Sequence, residues 1–371
     1  MSPRSPVTSS DRVDRETQLE WQLDQVSTRG GVVIPVRATA RRPQWPDLPS
    51  ALQRLVVDTL GAHVVATRSS GTGFTPGFAS RLTLDDGRDV FVKAASSADD
   101  ELHGWPLSDA YREEVRKLSQ LPDGIGAPGL LWHHDVQLAG LRWIVMAFEY
   151  VDAAPPRRPW QPEQLRLVLD KLATTAPALT RIPMGLDLEP VEKHLMSGFA
   201  ERMQQIRAST ADQTQPMPQS KADRMQPMRE TADQGWLDTV EHLCHEGSGL
   251  LTGQSIVHMD LRDDNVLIGS AGDVWFVDWN WPVLGAGWID TICILLSARG
   301  DGLDVEAELS RHPLTRGTDP MAINTLLAVL WSFWGTAITQ PVPQSSPHLR
   351  DHQSWYEEVT RGWLADRLEN R

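Results

Sequence analysis

Apolar residues follow two rhythms along this chain. Ahead of Val151 they alternate with polar ones or gather in short β-branched runs; from Gln161 onward they return every three or four residues. The first rhythm predicts strands and the second amphipathic helices. Ala51 to Leu60 already shows helical spacing, at Leu55, Val56 and Leu60, after a proline-punctuated stretch from Pro43 to Pro49. Val64-Val65-Ala66, Phe78 to Leu84 and Asp89 to Ala94 read as strands. The last two flank Asp85-Asp86-Gly87-Arg88, in which Asp86-Gly87 is a strong hairpin signal. Ser108 to Leu121 carries a helical stripe of Tyr111, Val115, Leu118 and Leu121. Leu141 to Val151 is an almost unbroken apolar run, stopped by Asp152-Ala153-Ala154-Pro155-Pro156. It reads as the last strand of a first lobe and a linker into a second.

In the second half, Leu165, Val168, Leu169 and Leu172 form one stripe; Val191, Leu195, Phe199 and Met203 form another; Leu237, Val240 and Leu243 form a third. Ala208 to Gln234 is rich in Gln, Met, Pro, Ser and Thr, and its Thr210-Ala211-Asp212-Gln213 recurs as Thr231-Ala232-Asp233-Gln234. Such a composition buries little surface, so the segment reads as a flexible insertion. From Ser255 to Trp281 two β-rich runs, Val266 to Ile268 and Val274 to Val277, flank the turn Ser270-Ala271-Gly272-Asp273. An apolar helix follows from Thr291 to Ser297, with Asp290 placed to cap its N-terminus. Helices over Met321 to Ile338 and Trp355 to Leu368 complete the lobe. A short edge strand is expected within Val32 to Val36.

The layout expected is α+β: a β-rich first lobe over 44–148 and a mostly helical second lobe over 149–371, with a polar extension at 1–43 and the insertion at 208–234. Met321 to Gln340 lacks charge and is long enough to span a bilayer. Thr325, Ser332 and Thr336 fall close to one helical face, however, and Asn324 adds a further polar group, so a buried helix is expected rather than a membrane span. The N-terminus lacks the apolar core of a signal peptide.

The formal net charge of -14 argues against nucleic acid as a general partner and permits a cationic substrate. Cys244 and Cys293 form neither a metal spacing nor a disulfide framework, which fits a reducing cytoplasm. Nothing in the sequence sets an oligomeric state.

Candidate chemistry gathers around the Ser255–Trp281 hairpin. His258, Asp260 and Asn265 precede it and Asp278 ends it. A hairpin brings its ends together, so Asp260, Asn265 and Asp278 are expected to converge. Two carboxylates and an amide, all oxygen donors, suit Mg²⁺ shared with substrate phosphates, and a carboxylate beside that metal can accept a hydroxyl proton. The spacing His258-x-Asp260-x-x-x-x-Asn265, followed after a hairpin by an Asp, is that of a kinase catalytic loop and metal-binding Asp. A loop with Gly71, Gly73 and Gly77 lies between strands rather than ahead of a helix, which excludes a Rossmann or Walker loop and fits a flap over ATP phosphates. Lys93 closes the strand after the hairpin, where a kinase lysine reaches those phosphates. Glu114 lies on the buried stripe of the next helix and Glu113 points away, so Glu114 is the expected partner of Lys93. Backbone groups of Glu149, Tyr150 and Val151 would face the adenine ring.

With these residues the chain resembles the aminoglycoside phosphotransferase family of the protein-kinase-like superfamily, over roughly Gln44 to Arg371 apart from the insertion. The resemblance implies a two-lobe protein-kinase-like fold with ATP between the lobes. It implies Asp260 as catalytic base, Asn265 and Asp278 as Mg²⁺ ligands and Lys93 as phosphate-binding lysine. The chain departs from the family at Met259, where a Gly or small residue is usual, at Arg262 and Asp263, where His and Pro are common, and at Asn280. The stretch from Asp278 to Asp290 has no room for a protein-kinase activation segment, which favours a small acceptor over a protein. The expected activity is phosphate transfer from ATP to a small hydroxylated molecule, an aminoglycoside being one candidate. The rival is an inactive kinase-like protein that binds a nucleotide or metabolite, which Met259 and Asn280 keep open.

Overall fold

A computed structural model describes residues 25–36, 40–103, 105–211 and 233–369. The chain opens with a hairpin of β1 (Gln25–Ser27) and β2 (Val33–Pro35). Helix α1 (Ser50–Leu60) follows, and buries Leu52, Val56 and Leu60 at a strict four-residue spacing. Leu52 therefore belongs to a stripe that the sequence reading drew without it.

Strands β3 (Val64–Ser69), β4 (Phe78–Leu84), β5 (Asp89–Ser96), β6 (Leu130–Leu138) and β7 (Leu141–Glu149) form one antiparallel sheet in the order β3-β4-β5-β7-β6. Between β5 and β6 lie α2 (Ser97–His103) and α3 (Leu107–Leu118). The unbroken apolar run of β7 reflects burial on both faces. Trp143, Val145 and Ala147 pack toward α1, with Leu52 and Val56. Ile144, Met146 and Phe148 pack toward α3, with Leu107, Tyr111 and Val115. Alternation along β5 sends Val90, Val92 and Ala94 to the α1 side, leaving Lys93 on the face shared with α3. Strand β6 has no counterpart in the sequence reading: its exposed residues, Leu131 among them, alternate with half-buried ones on a sheet edge.

The second lobe begins with β8 (Ala153–Ala154) and α4 (Pro162–Leu179). The stripe Val191, Leu195, Phe199, Met203 is split between α5 (Val191–Met196) and α6 (Phe199–Ala211). Gly198 between them has φ of +67°, a left-handed conformation that ends one helix and redirects the next. Helix α7 (Gln234–Gly247) is capped by Asp233, whose side chain accepts from the Trp236 amide. The ends of the expected insertion thus belong to helices, and its residues 212–232 lie outside those described, as do residues 1–24 of the N-terminal extension.

Strands β9 (Ser255–Val257), β10 (Val266–Gly269), β11 (Val274–Phe276) and β12 (Val283–Gly285) come next. They form a sheet ordered β11-β10-β8 and a pair β12-β9. Helices α8 (Ile289–Gly300), α9 (Val305–Arg311), α10 (Pro320–Ala337) and α11 (Leu349–Glu369) finish the lobe. Polar groups of the uncharged helix α10 find partners inside the lobe: Thr325 donates to Leu243 O and Asn324 accepts from Arg367. Among the described residues no helix is long and apolar enough to cross a membrane.

The N-terminal hairpin is packed rather than peripheral. Val26 and Ile34 join the core of the second lobe. Thr28 Oγ1 and the Gly30 amide both donate to Glu358 of α11, at 2.6 and 2.7 Å. The acidic residues after α8 are also spoken for: Asp301 pairs with Arg158, Asp304 caps α9, Glu306 binds Arg367 and Glu308 binds Arg311.

Candidate active site

The loop between β9 and β10 is fixed from three sides. Asp290 does not cap α8, whose N-cap is Trp288 without a side-chain bond. Its carboxylate instead turns back and accepts from the amides of His258 and Met259, at 2.8 and 3.0 Å. The tension it holds is local: Met259 has φ of +69°. That left-handed conformation suits Gly better than any residue with a Cβ. His258 Nε2 lies 2.9 Å from Val277 O. A carbonyl only accepts, so Nε2 carries the proton. Burial lowers the pKa of His258, against the pull of Asp290, and keeps the ring neutral. Trp279 packs on the ring at 4.5 Å between centroids. The hairpin ends are tied together directly, since the Val277 amide donates to Asn265 O at 3.0 Å.

Asn265 is buried and donates through Nδ2 to Asp260 O at 2.7 Å. Arg262 donates to Asp260 Oδ1 at 2.6 Å and to both oxygens of Asp264, at 3.0 and 3.1 Å. Asp260 keeps a 29% exposed side chain. Burial pushes its pKa up to about 6, with Arg262 pulling down and Asp264 and Asp278 pushing up.

Asp278, also left-handed at φ of +68°, accepts at Oδ1 from Lys93 Nζ at 2.6 Å and from Asn280 Nδ2 at 2.9 Å. Lys93 Nζ meanwhile lies 2.8 and 3.0 Å from the two oxygens of Glu114. Glu113 pairs with Arg116 instead. Burial disfavours the Lys93 charge, but Asp278 and Glu114 outweigh it, so the ammonium stays protonated. Burial pushes Glu114 up to about 7 against Lys93. Asp278 is held low because Lys93 outweighs its burial.

These groups border a cavity of about 710 Å³ between the lobes. Its walls include Gly71 and Gly73, Lys93 and Glu114, Glu149, Tyr150 and Val151, and Asn265 and Asp278. Gly77 is not part of the wall. It packs beneath Tyr111, where an added Cβ would stand 2.8 Å from the hydroxyl and 3.0 Å from Ala94 O. Asp260 does not border the cavity either; Arg262 beside it faces a recess of about 20 Å³ with Phe74, Asp263, Asp264, His352 and Tyr356. The Val151 carbonyl already accepts from the Ala153 amide at 2.9 Å.

The volume suits a nucleotide-sized ligand. Asn265 and Asp278 present hard oxygen donors to one space. Among the described residues no three His, Cys, Asp or Glu side chains are grouped to hold a metal. A divalent ion here would complete its shell with phosphate oxygens and water, which is the habit of Mg²⁺. The sequence reading missed Asp290 as the loop's anchor; an acidic residue near the start of an otherwise apolar helix was its one signal. It also missed Arg42, which reaches the glycine-rich loop from the N-terminal arm and has no local pattern to mark it.

No family model and no curated protein matches the sequence. Solved structures do match the fold. Spectinomycin phosphotransferase APH(9)-Ia, solved with ADP and spectinomycin, is 14% identical and matches with a TM-score of 0.56 over 84% of this chain and 97% of its own. A thermostable mutant of aminoglycoside phosphotransferase APH(4)-Ia, solved with ADP and hygromycin B, is 10% identical with a TM-score of 0.53 over 85% and 98%. Choline kinase LicA from Streptococcus pneumoniae is 13% identical with a TM-score of 0.52 over 85% and 100%. The chain therefore has the two-lobe protein-kinase-like fold of small-molecule kinases, a β-sheet lobe over a helical lobe.

Proposed function

We propose that this protein is an ATP-dependent O-phosphotransferase acting on a small hydroxylated molecule. One observation carries the reading: Lys93, Glu114, Asn265 and Asp278 meet in a single inter-lobe cavity, beneath the glycine-rich loop and beside the segment from Glu149 to Val151. Asp260 stands next to Asn265 on the same loop.

In the reaction, the acceptor oxygen bonds to the γ-phosphorus of ATP, the bond to the β,γ-bridging oxygen breaks, and ADP leaves. Asp260 orients the acceptor hydroxyl and takes its proton. Glu114 keeps the Lys93 ammonium in the cavity, where it offsets phosphate charge. Asn265 and Asp278 would hold Mg²⁺, which supplies charge neutralisation to the phosphates. The transition state of such a transfer is loose, so positioning and electrostatics account for most of the catalysis. The two cysteines are free and buried, and we place the protein in a reducing cytoplasm.

An aminoglycoside is one candidate acceptor, since matching phosphotransferases were solved with hygromycin B and spectinomycin; choline, the substrate named for another match, an amino alcohol, a macrolide or a sugar are equally compatible with the motif. Cationic acceptors suit the formal charge of -14. A screen for acceptor-dependent ADP release over aminoglycosides, amino alcohols, macrolides and sugars tests the reading. Phosphorylated product with one class is the expected result. A second reading, a nucleotide-binding protein that transfers nothing, draws on Arg262 bound to Asp260 and Lys93 bound to Asp278. Nucleotide binding with no product from any acceptor would favour it.

A further inference from the structure

Arg42 brings an unassigned cation into the cleft. It borders the main cavity beside the glycine-rich loop. Its Nη1 donates to Ser70 O at 3.2 Å and its Nη2 to Thr72 O and Gly73 O at 2.9 and 3.2 Å. Its Nε is buried with no hydrogen-bond partner. Of the other cations on the cavity wall, Lys93 is shared by Glu114 and Asp278, Arg158 by Asp263 and Asp301, and Arg81 binds Asp89. Arg68 and Arg157 are exposed to water. Arg42 is drawn inward, yet among the described residues it has no carboxylate within ion-pair distance. Carbonyl dipoles alone compensate a guanidinium poorly, and a buried cation without an anion is costly. Arginine matches phosphate oxygens with paired N–H groups.

The element that delivers Arg42 is anchored. The arm before it is held to α11 through Glu358, and His352 Nε2 lies 3.0 Å from Pro35 O. The Arg41 amide donates to Ser345 O at 2.7 Å, and the Ala40 amide to Gly73 O at 3.2 Å. Ser346 Oγ donates to Phe74 O at 2.7 Å. The second lobe thus grips the loop of the first through this arm, and Arg42 is the part of the grip that faces the cavity.

We propose that Arg42 is a phosphate-binding residue of this cleft, contacting an anionic phosphate of the bound nucleotide under the glycine-rich loop. The assignment rests on the nucleotide reading above and extends the site to the N-terminal arm. Its test is calorimetric binding of ATP and adenosine, with Mg²⁺, to the full-length wild type, Arg42→Gln and Arg42→Lys. Arg42→Gln is expected to weaken ATP at least tenfold and leave adenosine within twofold. Arg42→Lys keeps the charge but neither spans three carbonyls nor offers paired N–H groups, and is expected to bind ATP more weakly than wild type but more tightly than Arg42→Gln. Unchanged ATP affinity in Arg42→Gln, or equal losses in both variants, overturns the assignment; equal losses would leave Arg42 as a loop clamp only. Should Arg42→Gln not fold, the amine introduced by Arg42→Lys is read directly. ATP, but not adenosine, is then expected to shield it from reductive methylation, and equal labelling with and without ATP overturns the assignment. A wild type that binds no ATP overturns the nucleotide reading itself, a result distinct from every variant outcome.

Discussion

Met259 shows how one residue can carry opposing terms. A left-handed non-glycine residue costs about 1–2 kcal/mol, while a buried Met side chain contributes about 2–5 kcal/mol relative to Ala. Burial wins, so both Met259→Gly and Met259→Ala should destabilise the protein. Gly recovers the backbone strain and Ala does not, so Gly is expected to be the milder change by about 1 kcal/mol in urea unfolding. The reverse order would show that the φ of +69° imposes no strain. Asp290 supports the same loop. Asp290→Asn replaces one acceptor with a donor facing a buried amide, with an expected loss of about 1–3 kcal/mol. Chemical unfolding within error of wild type would remove Asp290 as the anchor. As the proposed base, Asp260 should set the acid limb of activity. With its pKa pushed up to about 6 by burial against Arg262, the base form is lost as pH falls through that value, and kcat/KM should fall about tenfold per pH unit below it. Arg262→Ala removes the cation that opposes the burial, so the midpoint should move to higher pH. A midpoint that stays or moves down would exclude Arg262 as the group that holds Asp260 ionised.

At the level of elements, what could be read from sequence was what local periodicity dictates. The β5 strand, the α3 stripe and the β10–β11 hairpin each follow from neighbours within a few residues, and Glu114 could be chosen over Glu113 because only one of them shares the stripe with Tyr111 and Leu118. What was missed depends on distant partners. Asp290 reads as a helix cap until β9 and α8 are brought together, when two loop amides compete for its carboxylate. The β1–β2 hairpin looks like a polar extension because it buries few apolar residues, Val26, Ile34 and Pro35, and the core that Val26 and Ile34 join lies far along the chain. The stripe from Val191 to Met203 keeps a helical period across a break, because Gly198 turns the chain without disturbing the spacing. Gly77 was grouped with Gly71 and Gly73 by proximity, yet it serves the packing of Tyr111.

At the scale of the molecule, two lobes meet over one cavity, and groups from both close on each other across it. Lys93 from the sheet reaches Asp278 of the second lobe, and Lys117 Nζ donates to Asn280 O at 3.2 Å. The proposal that this cleft transfers phosphate assigns separate tasks to residues on one hairpin: Asp278 to binding and Asp260 to proton removal. The measurement that bears on it most directly is Mg²⁺-ATP affinity and acceptor turnover in parallel, for wild type, Asp278→Ala and Asp260→Asn. Asp278→Ala should weaken Mg²⁺-ATP binding itself. Asp260→Asn should bind Mg²⁺-ATP within about threefold of wild type and lose turnover by about 10²–10⁴-fold. Turnover at the wild-type rate in Asp260→Asn would contradict the assignment of the base, and a wild type that turns over no acceptor would contradict the reading of this site as a phosphotransferase centre.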